Sequence, residues 1–185
     1  MPADCLLESA KVFDNLLSKD FVLVLENGLS LRVVFKREQF YHLAGLHKLE
    51  DLPELAINKR MSAGAIYKRI IRGELTEKHL KKSSFYFKVE QRIKQFALVK
   101  SLLNAQVVID FDDKLLSEAK LKADYLLFKR LDSGAYLHLA LRITGEISAP
   151  ISFFYEQSKM YITGQKLLDV VEVRVEERKS KGRAC

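Results

Sequence analysis

The hydrophobic period of this chain changes once, near residue 106, and that switch limits the folds open to it. Before it, apolar residues recur at helical spacing. Residues 5–18 place Leu6, Ala10, Phe13 and Leu17 on one stripe. The segment 37–49 reads as a helix with a glycine inside, ended by Asp51 and Pro53. Ser62 is a cap for a helix through Arg72, and Thr76 for another through Lys82. A longer helix is predicted over about 88–103, with Val89, Ile93, Phe96, Ala97, Lys100 and Leu103 on one face. Within this half, 21–25 and 30–35 are β-rich runs joined across Asn27-Gly28, a strong hairpin signal. After residue 106 the runs 106–110, 121–131, 135–143, 150–155 and 168–177 are short, turn-linked and strand-like. In the last, Val171, Val173 and Val175 alternate with Glu172, Arg174 and Glu176.

This order gives an α+β fold: N-terminal helices and a β-hairpin packed with a mainly antiparallel, about four-stranded C-terminal sheet. A length of 185 residues fits one domain over 1–178, with hairpin and helices in 1–105, the sheet in 106–178 and a flexible tail at 179–185. A 48% apolar content supports a real core. No run of uncharged apolar residues is long enough to span a membrane, and the N-terminus lacks a signal-peptide pattern. Cys5 and Cys185 make no disulfide framework and no metal spacing, so the expected compartment is the cytoplasm.

The formal net charge is +7. Residues 36–100 hold 15 Lys/Arg against 7 Asp/Glu, so the basic excess lies entirely in the middle segment. Such a face attracts polyanions through phosphate contacts, although solvated lysines on helices give the same count. There is no GxGxxG, Walker loop, HExxH or CxxC, which argues against nucleotide-cofactor enzymes. Of four histidines, His42 and His47 share the segment FYHLAGLHK. Five residues apart, they stand about 140° apart on a straight helix. That suits a shared metal poorly unless Gly45 bends the segment, but it leaves a proton-transfer role open. The alternative is one buried and one exposed histidine with no chemistry.

Alternation puts His138 on the strand face opposite Leu137, Leu139 and Leu141, together with Arg142. Lys122, His138 or Arg142, and Ser152 would form a polar stripe across neighbouring strands, as a phosphodiester site needs. A wet outer sheet face explains the same pattern. Aromatics interleave with the cations, among them Tyr125, Phe154, Tyr155 and Tyr161, and aromatics stack unpaired bases when they are not core. Phe85 and Phe87 read as core or core edge. Asp110, Asp112 and Asp113 form the single acidic group that could suggest a divalent metal, and a strand-end loop explains it more simply.

The blocks FKREQFYHLAGLHKLEDLP, IYKRIIRGELT, LKADYLLF, AYLHLALR, PISFFYE and YITGQK, spread over roughly residues 20–168, resemble a phage-associated nuclease family grouped with barnase, EndoU, colicin-type and RelE toxins. The resemblance implies helices on a four-stranded antiparallel sheet and a metal-independent ribonuclease of phage or mobile-element origin. It implies no cofactor, an RNA partner that is single-stranded or looped, a place for a cognate inhibitor protein, and no membrane. It also implies 2′-OH attack that leaves a 2′,3′-cyclic phosphate. His42 and His47 would be the acid and the base, in either order, with His138 competing. Lys122 and Lys48 would stabilise charge, Ser152 would orient a phosphate oxygen, and Tyr125, Arg142 and Tyr155 would contact substrate. The rival readings are a non-catalytic nucleic-acid-binding protein and a protein-interaction module of a mobile element. Convergence of His42, His47, His138 and Lys122 in one cleft would separate the nuclease from its rivals.

Overall fold

A computed structural model of the chain describes residues 4–58, 61–116 and 121–178, so the tail expected at 179–185 lies outside it. The helix α1 (Cys5–Leu17) begins where Asp4 accepts a hydrogen bond from the Leu7 N–H, and it buries Leu6, Ala10, Phe13 and Leu16. The hairpin of β1 (Lys19–Leu25) and β2 (Ser30–Val34) follows, turning at Gly28 with φ +83°. Next come α2 (Gln39–Leu43), α3 (Ala63–Ile71, capped by Ser62), α4 (Glu77–Leu80), α5 (Glu90–Gln95) and α6 (Val99–Leu102). The remaining strands are β3 (Val107–Asp110), β4 (Tyr125–Arg130), β5 (Tyr136–Thr144), β6 (Ile147–Glu156) and β7 (Lys166–Glu177).

The expected four-stranded antiparallel sheet, with the hairpin apart from it, is not what forms. Seven strands close into a mixed barrel in the order β1-β2-β6-β5-β4-β3-β7. Two long-range pairings do this. The strand β7 is long enough to pair with β3 through its first residues and with β1 through its last. On the other side, β2 meets β6 in parallel at a single register pair, Val33 with Ser148. Closure removes the exposed edges that an open sheet would carry. It also explains why the valine face of β7 is not uniformly buried. Val24 pairs with Glu172 and Leu25 with Val170, so a bulge skips Val171 and leaves it exposed.

The predicted helix over 88–103 is broken. A tight 3-10 turn at Phe96–Leu98 separates α5 from α6. Three-residue turns move the buried set to Val89, Ile93, Phe96, Val99, Leu102 and Leu103, and turn Ala97 and Lys100 out to solvent.

One continuous core runs from the barrel strands into the helices. At its centre Phe13 touches the rings of Phe35, Phe40, Tyr67 and Phe96 at centroid distances of 5.3–6.2 Å. Phe96 continues to Phe40 at 5.4 Å and to Phe153 of β6 at 5.2 Å. Past Ser148 the strand β6 has no strand partner on the β2 side, and α2 and α5 pack against it there. On the opposite face of the sheet, Ile109, Phe111, Leu126, Ala140 and Phe154 form a second, smaller core with Leu121, Tyr161 and Ile162 partly buried on it.

The ring contacts of Phe96 make it the pin between helices and barrel. Truncation to alanine is expected to cost about 3–5 kcal/mol in urea unfolding, the usual range for a buried Phe. A loss below about 1 kcal/mol, within the scatter of ordinary surface substitutions, would contradict this packing account.

Candidate functional site

Where β2 and β6 part, a cleft of about 600 Å³ opens beside α2 and α5. It is lined by His42, His47, Lys48, Arg92, Leu121, Ile151, Ser152, Phe154, Tyr155 and Tyr161. None of these ten is acidic.

A glycine elbow brings the two histidines together. The helix α2 stops at Leu43, Gly45 takes a left-handed φ of +79°, and Leu46–Lys48 continue as a 3-10 turn. The change of direction removes the 140° separation of a straight helix and sets the imidazoles of His42 and His47 with centroids 5.0 Å apart. Tyr41 anchors the elbow. Its hydroxyl donates to the Leu55 carbonyl at 2.8 Å, and its ring lies 5.3 Å from that of His42 and 6.3 Å from that of His47. Gly45 serves a second purpose. A Cβ there would stand 3.1 Å from Arg92 Cδ and from Val89 Cγ1, so the missing side chain admits Arg92 to the cleft wall.

The electrostatics are one-sided. Neither Lys48 nor Arg92 has an ion-pair partner among the described residues. Desolvation pushes the Arg92 guanidinium down to about 10. Lys48 is lowered by desolvation and then by the charges of Arg92 and Lys88. His47 keeps solvent access at the cleft mouth, but desolvation by the wall, followed by His42, Arg92 and Lys48, lowers it to about 4. It is therefore neutral at pH 7. Half-buried, uncompensated cations beside a neutral imidazole describe a receptor for an anion with a proton acceptor next to it.

Of the residues singled out in the sequence, His42, His47, Lys48, Ser152 and Tyr155 meet here. His138, Lys122, Tyr125 and Arg142 do not line the cleft, so of the four residues whose convergence was to separate the nuclease from its rivals only His42 and His47 come together. Lys122 is exposed and ion-paired with Asp113. The Arg142 guanidinium donates from Nε to the Lys122 carbonyl at 3.0 Å. Tyr125 is half-buried against the main core. His138 does lie opposite Leu137, Leu139 and Leu141, but that face is dry rather than wet. It is fully buried, stacked on Phe154 at 4.9 Å and 5.6 Å from the Tyr161 ring, and neither ring nitrogen has a hydrogen-bond partner. Desolvation lowers its pKa to about 4, against a small opposing effect of Glu156.

Arg92 was not among the sequence candidates; it stood within the basic segment 36–100 without being singled out. Its spacing from Val89, inside the basic segment, was the one available signal. Asp110 pairs with Lys166, Asp113 with Lys122, and Asp112 caps a short turn. Among the described residues no three His, Cys, Asp or Glu side chains are grouped to hold a metal.

Comparison with known families supplies the class. Residues 5–180 match the sequence profile of PBECR4, the phage-Barnase-EndoU-ColicinE5/D-RelE like nuclease4 family, and the chain belongs to it. It is thus a nuclease of phage type. No curated protein and no solved structure matches the chain. No helix among the described residues is long and apolar enough to cross a membrane.

Gly45→Ala is expected to cost roughly 1–2 kcal/mol from the left-handed backbone alone, and to displace Arg92. Thermal unfolding of the variant reads this directly, and an unchanged midpoint would contradict the elbow. His138→Phe is expected to stabilise the protein by about 1–3 kcal/mol, since it removes two buried polar atoms without partners. In the parent, the folded-state pKa of His138 is depressed, so its neutral form is favoured fully above about pH 6.5 and stability is lost as pH falls toward 4. The Phe variant should show less of that loss. A variant less stable than the parent at pH 7 would mean that the ring nitrogens are engaged.

Proposed function

We propose that the chain is a metal-independent endoribonuclease that cleaves single-stranded or looped RNA by attack of the ribose 2′-OH on the adjacent phosphorus. The observation that carries this reading is the pair of imidazoles 5.0 Å apart in a cleft whose charged lining side chains, among the described residues, are the cations Lys48 and Arg92. His47, neutral at pH 7, takes the 2′-OH proton. His42 protonates the leaving 5′-oxygen. Arg92 and Lys48 stabilise the charge that gathers on the phosphate oxygens, and the Ser152 hydroxyl orients one of them. The products are a 2′,3′-cyclic phosphate and a 5′-hydroxyl. Tyr155 and Tyr161 offer rings to a splayed base beside the phosphate. An A-form duplex hides the attacking geometry, which is why the substrate is unpaired. The low cysteine content accords with work in the cytoplasm.

A base with a pKa near 4 is a weak one at neutral pH. Binding a phosphate supplies the anion that the cleft lacks, offsets the repulsion from Arg92, Lys48 and His42, and raises His47 toward the working range. The lower limb of the pH profile should accordingly lie near pH 4 in kcat/KM, which reports the free enzyme, and higher in kcat. Cleavage of single-stranded RNA in excess chelator tests the assignment. His47→Ala is expected to lower kcat about 10²- to 10⁴-fold. Arg92→Ala is expected to lower it about 10²- to 10³-fold. Both variants cleaving at the parent rate would refute the site. Salt-sensitive RNA binding without any cleavage would leave a nucleic-acid-binding protein instead.

A further inference from the structure

Phe87 is the most exposed of the large apolar side chains among the described residues, with 69% of its surface open, although its segment SSFYFK reads as core edge. A single exposed apolar residue is ordinary by itself. Three features set this one apart. First, the turn that bears it is pinned on both sides. Asp51 accepts from the Ser84 N–H at 2.8 Å and the Ser84 hydroxyl at 2.9 Å, Phe85 packs on the main core, and the Tyr86 hydroxyl donates to Glu77 at 2.7 Å. The ring of Phe87 is thus held outward on a fixed frame, the 3-10 turn Tyr86–Lys88.

Second, the neighbouring charge is uncompensated. Lys81 pairs with Glu77 and Lys94 with Glu90, whereas Lys88 has no carboxylate partner among the described residues. Its ammonium sits 4.2 Å from the Phe85 ring centroid and 6.0 Å from that of Phe87. Third, the turn runs directly into the cleft wall. Phe87 and Lys88 precede Val89, which with Arg92 abuts Gly45, and the charge of Lys88 is felt at Lys48.

Resting on the single-stranded RNA reading of the cleft, we propose that Phe87 and Lys88 form a second nucleic-acid subsite, in which an unpaired base of the strand flanking the scissile phosphate stacks on Phe87 while Lys88 meets the backbone. An exposed aromatic face with a cation beside it that no carboxylate neutralises is the pairing that binds single strands without reading their sequence. The subsite would add affinity for longer strands and would play no part in bond breaking.

The test is binding of a 2′-O-methyl oligonucleotide about ten nucleotides long, which the proposed mechanism does not cleave, alongside turnover of a dinucleotide too short to reach Phe87. Phe87→Ala is expected to weaken binding of the long oligonucleotide roughly 5- to 100-fold, the range for one stacked base. Dinucleotide turnover should stay unchanged, and Phe87→Trp should restore binding. Parent-like affinity of Phe87→Ala for the long oligonucleotide would overturn the subsite, as would a parent protein that binds no oligonucleotide. Parent protein that binds but never cleaves RNA would refute the nuclease reading alone, and the Ala and Trp variants would still decide the subsite.

Discussion

Phe96 reaches Phe40 on one side and Phe153 on the other, and through Phe13 it joins α1 and Tyr67 to the same cluster. These rings hold the helices against a stretch of barrel wall, β6 past Ser148, that lacks a strand neighbour on the β2 side. The parallel contact between β2 and β6 is a single register pair, so backbone hydrogen bonding cannot fill the seam beyond it. Side-chain packing does so instead, and aromatic residues bring the most buried area for that task. The cleft is what remains of the seam after α2 and α5 have covered the rest. Its position follows from where the barrel is weakest in hydrogen bonds and strongest in aromatic contact.

Within the cleft the decisive constraint is the absence of an atom. Gly45 allows the left-handed turn that folds His47 back toward His42, and the same missing Cβ leaves space for Arg92. Two cations, Lys48 and Arg92, and two imidazoles then share a partly desolvated space with no carboxylate in its lining among the described residues. Desolvation lowers the pKa values of all three of Lys48, His47 and Arg92, and at Lys48 and His47 the neighbouring cations add repulsion to it. An anionic ligand relieves that repulsion on entry, so binding and pKa are coupled through the same charges.

Local features of the chain could be read because they depend on near neighbours. The stripe Leu6-Ala10-Phe13 gave α1, Asn27-Gly28 gave the hairpin, and Ser62 gave the start of α3. Barrel closure could not be read this way. It depends on β7 pairing with both β1 and β3, a tertiary choice that leaves no mark on periodicity. The histidine pair was visible as a spacing, and the glycine between them as a bend, but the approach of Arg92 to Gly45 is a tertiary contact that spacing does not show. His138 shows the opposite error. Alternation placed its side chain on the correct face, yet a second core formed by Phe111, Phe154 and the segments around Leu121 and Tyr161 made that face dry. Period tells which way a side chain points, and only the tertiary fold tells what it meets.

The central claim is that cleavage needs the ribose hydroxyl. A DNA oligonucleotide with a single internal ribonucleotide, incubated with the protein and resolved by mass spectrometry beside its all-DNA counterpart, addresses this directly. The account requires one cut, on the 3′ side of the ribonucleotide, leaving a 2′,3′-cyclic phosphate and a 5′-hydroxyl. Cleavage of the all-DNA strand, or fragments ending in a 5′-phosphate, would contradict it.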